Sequence, residues 1–311
     1  MKNMRSSVDK TVKDIKSLKI QGARNIAKSA MIALALHAKS SKAKTSEEFY
    51  SDMLEAGEAL QSSRPTEPML RNSINEMTDL AKTLMKSKNV SQMKKAVAEH
   101  EMEYQKKVDK NAKALADYGA KLIPEGARVI THCHSSTVVG IFKRAAELGK
   151  DFEVISCETR PRFQGRLTAK DLAQAGIKVT QIVDGAVHYF MKKADAIIVG
   201  ADAITARGDL INKNGTSMVA HIAKAHEVSF YSAAELYKYS PATLFGNLEK
   251  IEERDSKEVW DKPPKGVKVS NLAFDVTPSS YISGFITEAG VIPSQSFFAL
   301  ATERIGAKIY G

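Results

Sequence analysis

The chain has 311 residues, a formal net charge of +10 and 43% hydrophobic residues. That length exceeds one average domain, and that apolar share supplies a packed core and excludes a disordered chain. No apolar run reaches the roughly 18 residues of a membrane span, and Cys133 and Cys157, without CxxC spacing, exclude a disulfide framework and a zinc knuckle.

Residues 1–120 read as helical. The opening stretch, Met1 to Lys19, is charged and lacks the apolar segment of a secretory signal, so a reducing cytoplasm is expected. From Gly22 to Lys39, the residues Ile26, Ala30, Ala33 and Leu34 keep the spacing of one helix face. Thr45, Ser46 and Glu48 form a capping signature ahead of Phe49, Met53 and Leu54. Ser62 to Thr66 breaks the pattern, because Pro65 pushes Arg64 out of helical geometry. A helix is predicted from Pro68 to Lys86, and Asn89 caps another that runs towards Tyr118. This part carries 22 Lys and Arg against 15 Asp and Glu, and residues 121–311 carry 24 against 21. The lysines are scattered over helices without aromatic partners, which fits a solvated basic surface better than a nucleic-acid site.

After Pro124-Glu125-Gly126 strands alternate with helices. Strands are predicted over 127–133, 152–157, 177–183, 194–202, 228–233 and 285–290. Helices are predicted over 135–148, 168–175, 185–193 and 216–225 and after Pro293, while residues 250–266 form a charged loop or lobe. The fold class is therefore α/β: an N-terminal all-helical domain over 1–120, then a doubly wound Rossmann-like parallel sheet domain over 121–311. Such sheets bind ligands beyond the carboxyl ends of their strands, which nominates Cys133, Glu158 to Arg160, Asp184, Asp202 and Glu288.

Cys133 ends a hydrophobic strand just before a helix. Unpaired N–H groups there favour a thiolate, and with Ser135, Ser136 and Thr137 they suit a phosphate. The same pattern also fits a buried, inert cysteine. In His132-Cys133-His134 the strand alternation puts the two histidines on one face and the thiol on the other, which argues against a metal site. Asp202 leaves a buried strand, where partial desolvation raises a carboxyl pKa and suits proton donation; a cap or loop anchor is the other reading. Asn212 and Lys213 offer an amide and a cation near a helix start, or a simple turn at Asn214-Gly215. Arg64 and Arg160, each followed by proline, suit bidentate phosphate contacts or salt bridges. Lys238 is a further cation, by default a solvated one. Neither GxGxxG nor GxxxxGK[ST] occurs.

Taken together, these segments resemble a known group. They are IQGARNIAKSA (20–30), SRPT (63–66), THCHSS (131–136), ETRPRFQG (158–165), GADAI (200–204), INKNGT (211–216), FDVTP (274–278) and ITEAGVIPS (286–294). The group unites the alpha, beta and delta subunits of translation initiation factor 2B with methylthioribose-1-phosphate isomerase and archaeal ribose-1,5-bisphosphate isomerase. Its isomerases carry Cys and Asp where this chain has Cys133 and Asp202, and the regulatory subunits have generally lost that pair. The resemblance implies conversion of ribose 1,5-bisphosphate to ribulose 1,5-bisphosphate through a phosphoenolate, in AMP salvage. Cys133 and Asp202 would move protons. Arg64, Ser135, Ser136, Thr137, Asn212, Lys213 and Lys238 would bind substrate, with Arg160 and Gln164 as further contributors. Gly22 and Ala23 fall in the group's phosphate loop. Gln21 stands where the isomerases carry Arg, and Arg24 would supply the missing cation.

No metal or organic cofactor is implied. The expected partners are the sugar bisphosphate, AMP as activator and further copies of the chain, as a dimer or hexamer, with neither nucleic acid nor membrane. The alternatives are a non-catalytic regulatory subunit that binds a nucleotide or sugar phosphate and partners with initiation factor 2, and a methylthioribose-1-phosphate isomerase.

Overall fold

The computed structural model describes residues 6–305; residues 1–5 of the charged opening stretch lie outside them. The described residues form two compact units that divide between Lys110 and Asn111. None of their helices is long and apolar enough to cross a membrane.

The first unit is helical: α1 (Ser6–Lys16), α2 (Ala23–Ser40), α3 (Ser46–Gln61), α4 (Pro68–Met85) and the first two-thirds of α5 (Val90–Lys121). The predicted stripe of α2 is its core face, since Ile26, Ala30, Ala33 and Leu34 are all buried. Thr45 and Glu48 close a reciprocal capping box at the start of α3. Asn89 and Gln92 do the same for α5, through Gln92 N–H to Asn89 Oδ1 at 3.0 Å and Asn89 N–H to Gln92 Oε1 at 3.2 Å. Pro68 occupies the first turn of α4, where its missing N–H costs nothing.

The second unit is built on β1 (Ala127–Thr131), β2 (Phe152–Cys157), β3 (Lys178–Ile182), β4 (Ala196–Val199), β5 (Ala203–Ile204), β6 (Leu210–Lys213), β7 (Ser229–Ala233), β8 (Phe274–Thr277), β9 (Gly284–Thr287) and β10 (Gly290–Ile292). Its main sheet has the order β10-β9-β7-β4-β1-β2-β3, parallel except for the β9–β10 hairpin. Between strands stand α6 (Ser136–Glu147), α7 (Gln164–Gln174), α8 (Val187–Met191) and α9 (Thr216–Ala225), with α10 (Phe297–Ile305) at the end. Alternate residues of the strands feed two cores, as a doubly wound sheet requires. Val129, Val154 and Ile198 pack with Ile141 and Phe142 of α6, whereas Ile130, Ile155 and Ile197 pack with Val219 of α9 and Phe297 of α10.

Three departures bear on the site. The first strand stops at Thr131, two residues short of Cys133. Helix α7 begins at Gln164, one turn before the predicted Thr168. A second, antiparallel sheet, β5-β6-β8, carries Asn212 and Lys213, and at two to four residues its strands are too short to register as periodicity.

Candidate active site

Strands β1 and β4 are neighbours, yet the chain leaves β1 towards β2 and β3 and returns past it to β4. Strand order reverses between them, and the crevice at such a switch point is where open α/β sheets hold ligands. Cys133 follows the end of β1, and Asp202 follows the end of β4.

The β1 exit is left-handed at Cys133, with φ 68°. The Cys133 N–H donates to Thr159 Oγ1 at 2.8 Å, and its carbonyl accepts from Thr168 Oγ1 at 3.0 Å. Thr159 lies in the β2 exit, where its own N–H and that of Arg160 donate to the two oxygens of Asp184, at 2.8 and 2.7 Å. This turn corrects the expectation that both neighbouring histidines share a face. His132 goes inward, its Nδ1 3.3 Å from Thr216 Oγ1, while His134 Nδ1 lies 3.0 Å from Thr168 Oγ1. Ser135 then caps α6, its Oγ accepting from Val138 N–H at 3.4 Å, and Ser136 and Thr137 form the first turn.

Three successive residues are pinned at the β4 exit. The Gly200 carbonyl accepts from Ser232 Oγ at 3.0 Å, the Ala201 carbonyl accepts from the Lys238 ammonium, and the Asp202 N–H donates to the Ile211 carbonyl at 2.9 Å. Lys238 is buried, not a solvated surface cation, and its head group lies one peptide before the catalytic candidate. On β6, buried Asn212 donates through Nδ2 to Thr216 Oγ1 at 3.0 Å, and Lys213 Nζ sits 4.8 Å from the Phe274 ring centre. Across the β6–β8 pairing, Asp275 faces Asn212 and accepts from the N–H groups of Gly215, at 2.7 Å, and Ser217, at 3.1 Å. It thus caps α9 from another strand.

Electrostatics link these groups. Cys133 is only half-buried by area, yet enough protein surrounds its sulfur that desolvation pushes the thiol up to about 11. Lys213 and the His134 N–H directed at the sulfur pull the other way, and Asp202 and Asp184 add to the rise. Of the two readings of this cysteine, burial outweighs the donors that a helix start offers a thiolate. Burial drives the His132 imidazolium down to about 4, opposed by Asp184 and reinforced by Lys213, so this ring is neutral at pH 7. Burial also raises Asp275 to about 6, against its two backbone donors and His221. Cys133 and Asp202 thus follow adjoining strands, and the Asp202 charge adds to the rise of the thiol.

The model of the initiation factor 2 subunit family matches residues 19–294. The chain belongs to that family. It is 44% identical over 294 residues to a ribose 1,5-bisphosphate isomerase of Archaeoglobus fulgidus, covering 94% of this chain and 91% of the relative. Among solved structures, a translation initiation factor eIF-2B of Pyrococcus horikoshii superposes with TM-score 0.78 at 31% identity, over 92% of this chain and 96% of that one. The 5-methylthioribose 1-phosphate isomerase of the same organism superposes with TM-score 0.76 at 32% identity, over 96% of this chain and 88% of that one.

The family's N-terminal segment lies in the first unit. Gln21 precedes the Gly22 cap of α2, Ala23 and Arg24 open that helix, and Arg64 lies in the turn between α3 and α4. The Gln21 amide is exposed and donates to the Leu18 carbonyl at 2.6 Å. Arg160 is exposed, donates to the Val259 carbonyl at 3.1 Å and covers the Phe163 ring at 5.1 Å. Gln164 begins α7 with its side-chain oxygen buried and unbonded among the described residues. Glu288 accepts from Leu236 N–H at 3.1 Å and from Asn111 Nδ2 at 3.3 Å, which ties it to the local backbone. Three residues that hold the site were not singled out as functional from sequence: Thr168, His132 as a buried hub, and Asp275. Asp275 falls inside FDVTP, one of the family's segments, and Thr159 inside ETRPRFQG and the strand-exit set, but spacing alone gives neither its hydrogen-bonding partner.

Proposed function

We propose that this member of the initiation factor 2 subunit family is an aldose–ketose isomerase that converts ribose 1,5-bisphosphate to ribulose 1,5-bisphosphate. The observation that carries this reading is the pairing of Cys133 and Asp202 at the β1 and β4 exits, with Lys213 acting on the same thiol. The reaction needs a base at C2 and an acid at the ring oxygen. Cys133, once deprotonated, takes the C2 proton. The electron pair forms the C1–C2 double bond, the C1–O4 bond breaks, and Asp202 gives O4 its proton. The phosphoenol then returns its C2 hydroxyl proton to Asp202 and accepts the thiol proton at C1, which restores both groups. Ser135 to Thr137, Asn212, Lys213 and Lys238 supply donors for the phosphates and hydroxyls, with Arg160 and Gln164 as further contributors in the sheet domain. Gln21 to Arg24 and Arg64, in the helical domain, are assigned phosphate binding by the family resemblance. We assign the sheet domain the chemistry, AMP the role of activator, the cytoplasm as location and a homo-oligomer as the working form.

The test is a product assay with ribose 1,5-bisphosphate, with and without AMP, on the parent, Cys133→Ser and Asp202→Asn. Ribulose 1,5-bisphosphate formed by the parent and lost in both variants supports the assignment; its absence from the parent under every condition overturns it. One observation favours a regulatory subunit instead: Gln21 brings no charge, and its amide is already engaged by the Leu18 carbonyl.

A further inference from the structure

Both backbone polar groups of Cys133 are held by side chains. Its N–H meets Thr159 Oγ1 at 2.8 Å and its carbonyl meets Thr168 Oγ1 at 3.0 Å, and both threonines are buried. The hydroxyl protons can be assigned. Thr159 gives its proton to the Cys157 carbonyl at 3.2 Å, so a lone pair is left to accept from Cys133. Thr168 gives its proton to the Cys133 carbonyl, so its lone pair accepts from His134 Nδ1. Thr159 is itself left-handed, with φ 62°, a conformation that β-branched residues rarely adopt. Strain of this kind persists only where the surroundings over-determine it, and here Asp184 grips the N–H groups of residues 159 and 160. The result is a left-handed turn at Cys133 that aims the His134 N–H at the sulfur.

We infer that Thr159 and Thr168 are positioning residues that clamp the Cys133 peptide in the conformation its proton transfer requires. The inference rests on the reading of Cys133 as the base, and its test separates the two. Thr159→Val keeps the shape and removes the acceptor; Thr159→Ser keeps the acceptor. Each is assayed for kcat and KM, for iodoacetamide alkylation of Cys133 followed by peptide mass across pH, and for thermal midpoint. A displacement of about 1 Å costs up to roughly 100-fold, so Thr159→Val should lose about 10- to 100-fold in kcat with KM within about 3-fold. The released turn exposes the thiol, so alkylation at pH 9 should quicken by about 3-fold or more. Thr159→Ser should restore both. Thr168→Val carries the same expectation from the carbonyl side, which keeps the test standing if Thr159→Val does not fold. A folded Thr159→Val with parental kcat and alkylation rate overturns the clamp, as does a Thr159→Ser impaired equally. Full turnover in Cys133→Ser would instead sink the thiol as base, while the alkylation rates still decide the clamp.

Discussion

Gly200 lies so close to Ser135 that a Cβ on it would stand 2.8 Å from Ser135 Cβ and 2.9 Å from Ser135 Oγ. This contact joins the exit of β4, which leads to Asp202, to the cap of α6, which follows Cys133. A methyl group at residue 200 must displace the cap, because the Gly200 carbonyl is held by Ser232 and cannot retreat freely. Gly200→Ala should therefore cost at least about 1 kcal/mol through the lost Ser135–Val138 cap. It should also lower kcat by about 10-fold or more by moving one exit against the other. Urea unfolding and steady-state kinetics read the two effects separately. A variant with parental kcat would mean that the reaction tolerates relative movement of the two exits.

Lys238 invites a different experiment. Its buried ammonium donates to the Ala201 carbonyl, so part of its charge is already committed to the loop that carries Asp202. Lys238→Met keeps the stem and removes the donor. The Asp202 loop then loses one of its three anchors, and kcat should fall by about 10-fold or more. If Lys238 serves the terminal phosphate alone, KM rises and kcat holds. That split, measured with ribose 1,5-bisphosphate, decides which duty dominates.

Much of this was legible in the sequence, for identifiable reasons. The α2 stripe, the Thr45–Glu48 box and the strands 127–131 and 152–157 follow from local periodicity and capping, which act within a few residues. The strand-exit rule nominates Cys133, Asp184 and Asp202 from sequence alone. What sequence could not give is long-range. The hydroxyl of Thr159 meets a peptide 26 residues away, and Asp275 caps a helix 58 to 60 residues away. The sign of the thiol's shift stays open in the sequence for the same reason. A helix start is visible in sequence and favours a thiolate, whereas the desolvation that overrides it comes from residues the fold assembles.

Gly165 shows how tightly α7 is set against β2. A Cβ there would stand 1.7 Å from the Cys157 carbonyl oxygen, which is backbone and cannot swing aside. The neighbouring bonds fix the same approach: Gly165 N–H donates to the Glu158 carbonyl at 3.2 Å, and its carbonyl accepts from Ser156 Oγ at 3.1 Å. Gly165→Ala should lose about 3 kcal/mol or more, at the upper end of overpacking costs. The urea midpoint checks this, with Gly140→Ala as control, since a Cβ at that position would meet nothing within 4 Å.

The pH dependences of thiol reactivity and stability should diverge. With the thiol raised to about 11, only a small fraction of Cys133 is deprotonated at pH 7, so iodoacetamide alkylation of Cys133, which needs the thiolate and not the Asp202 proton, should climb with pH between 7 and 10 at close to one log unit per pH unit. An alkylation rate that is flat over that range would mean that burial does not hold the thiol protonated. Stability runs the other way at the alkaline end. A thiol whose folded value lies above its ordinary 9.0 contributes stability that is complete below pH 9 and lost as pH rises through about 11. At the acid end His132 decides. Its folded value of about 4 lies below the ordinary 6.5, so its contribution is present above pH 6.5 and lost as pH falls through about 4. The gap corresponds to about 3 kcal/mol. Asp275 opposes this loss, because a carboxyl raised from 3.8 to about 6 contributes stability present below 3.8 and lost as pH rises through about 6. Unfolding free energies at pH 4 and pH 7 test the balance. The parent should lose stability on acidification, and His132→Asn, which cannot charge, should lose about 2 kcal/mol less. Equal losses in both proteins would mean that the buried imidazole is not the group that limits acid stability.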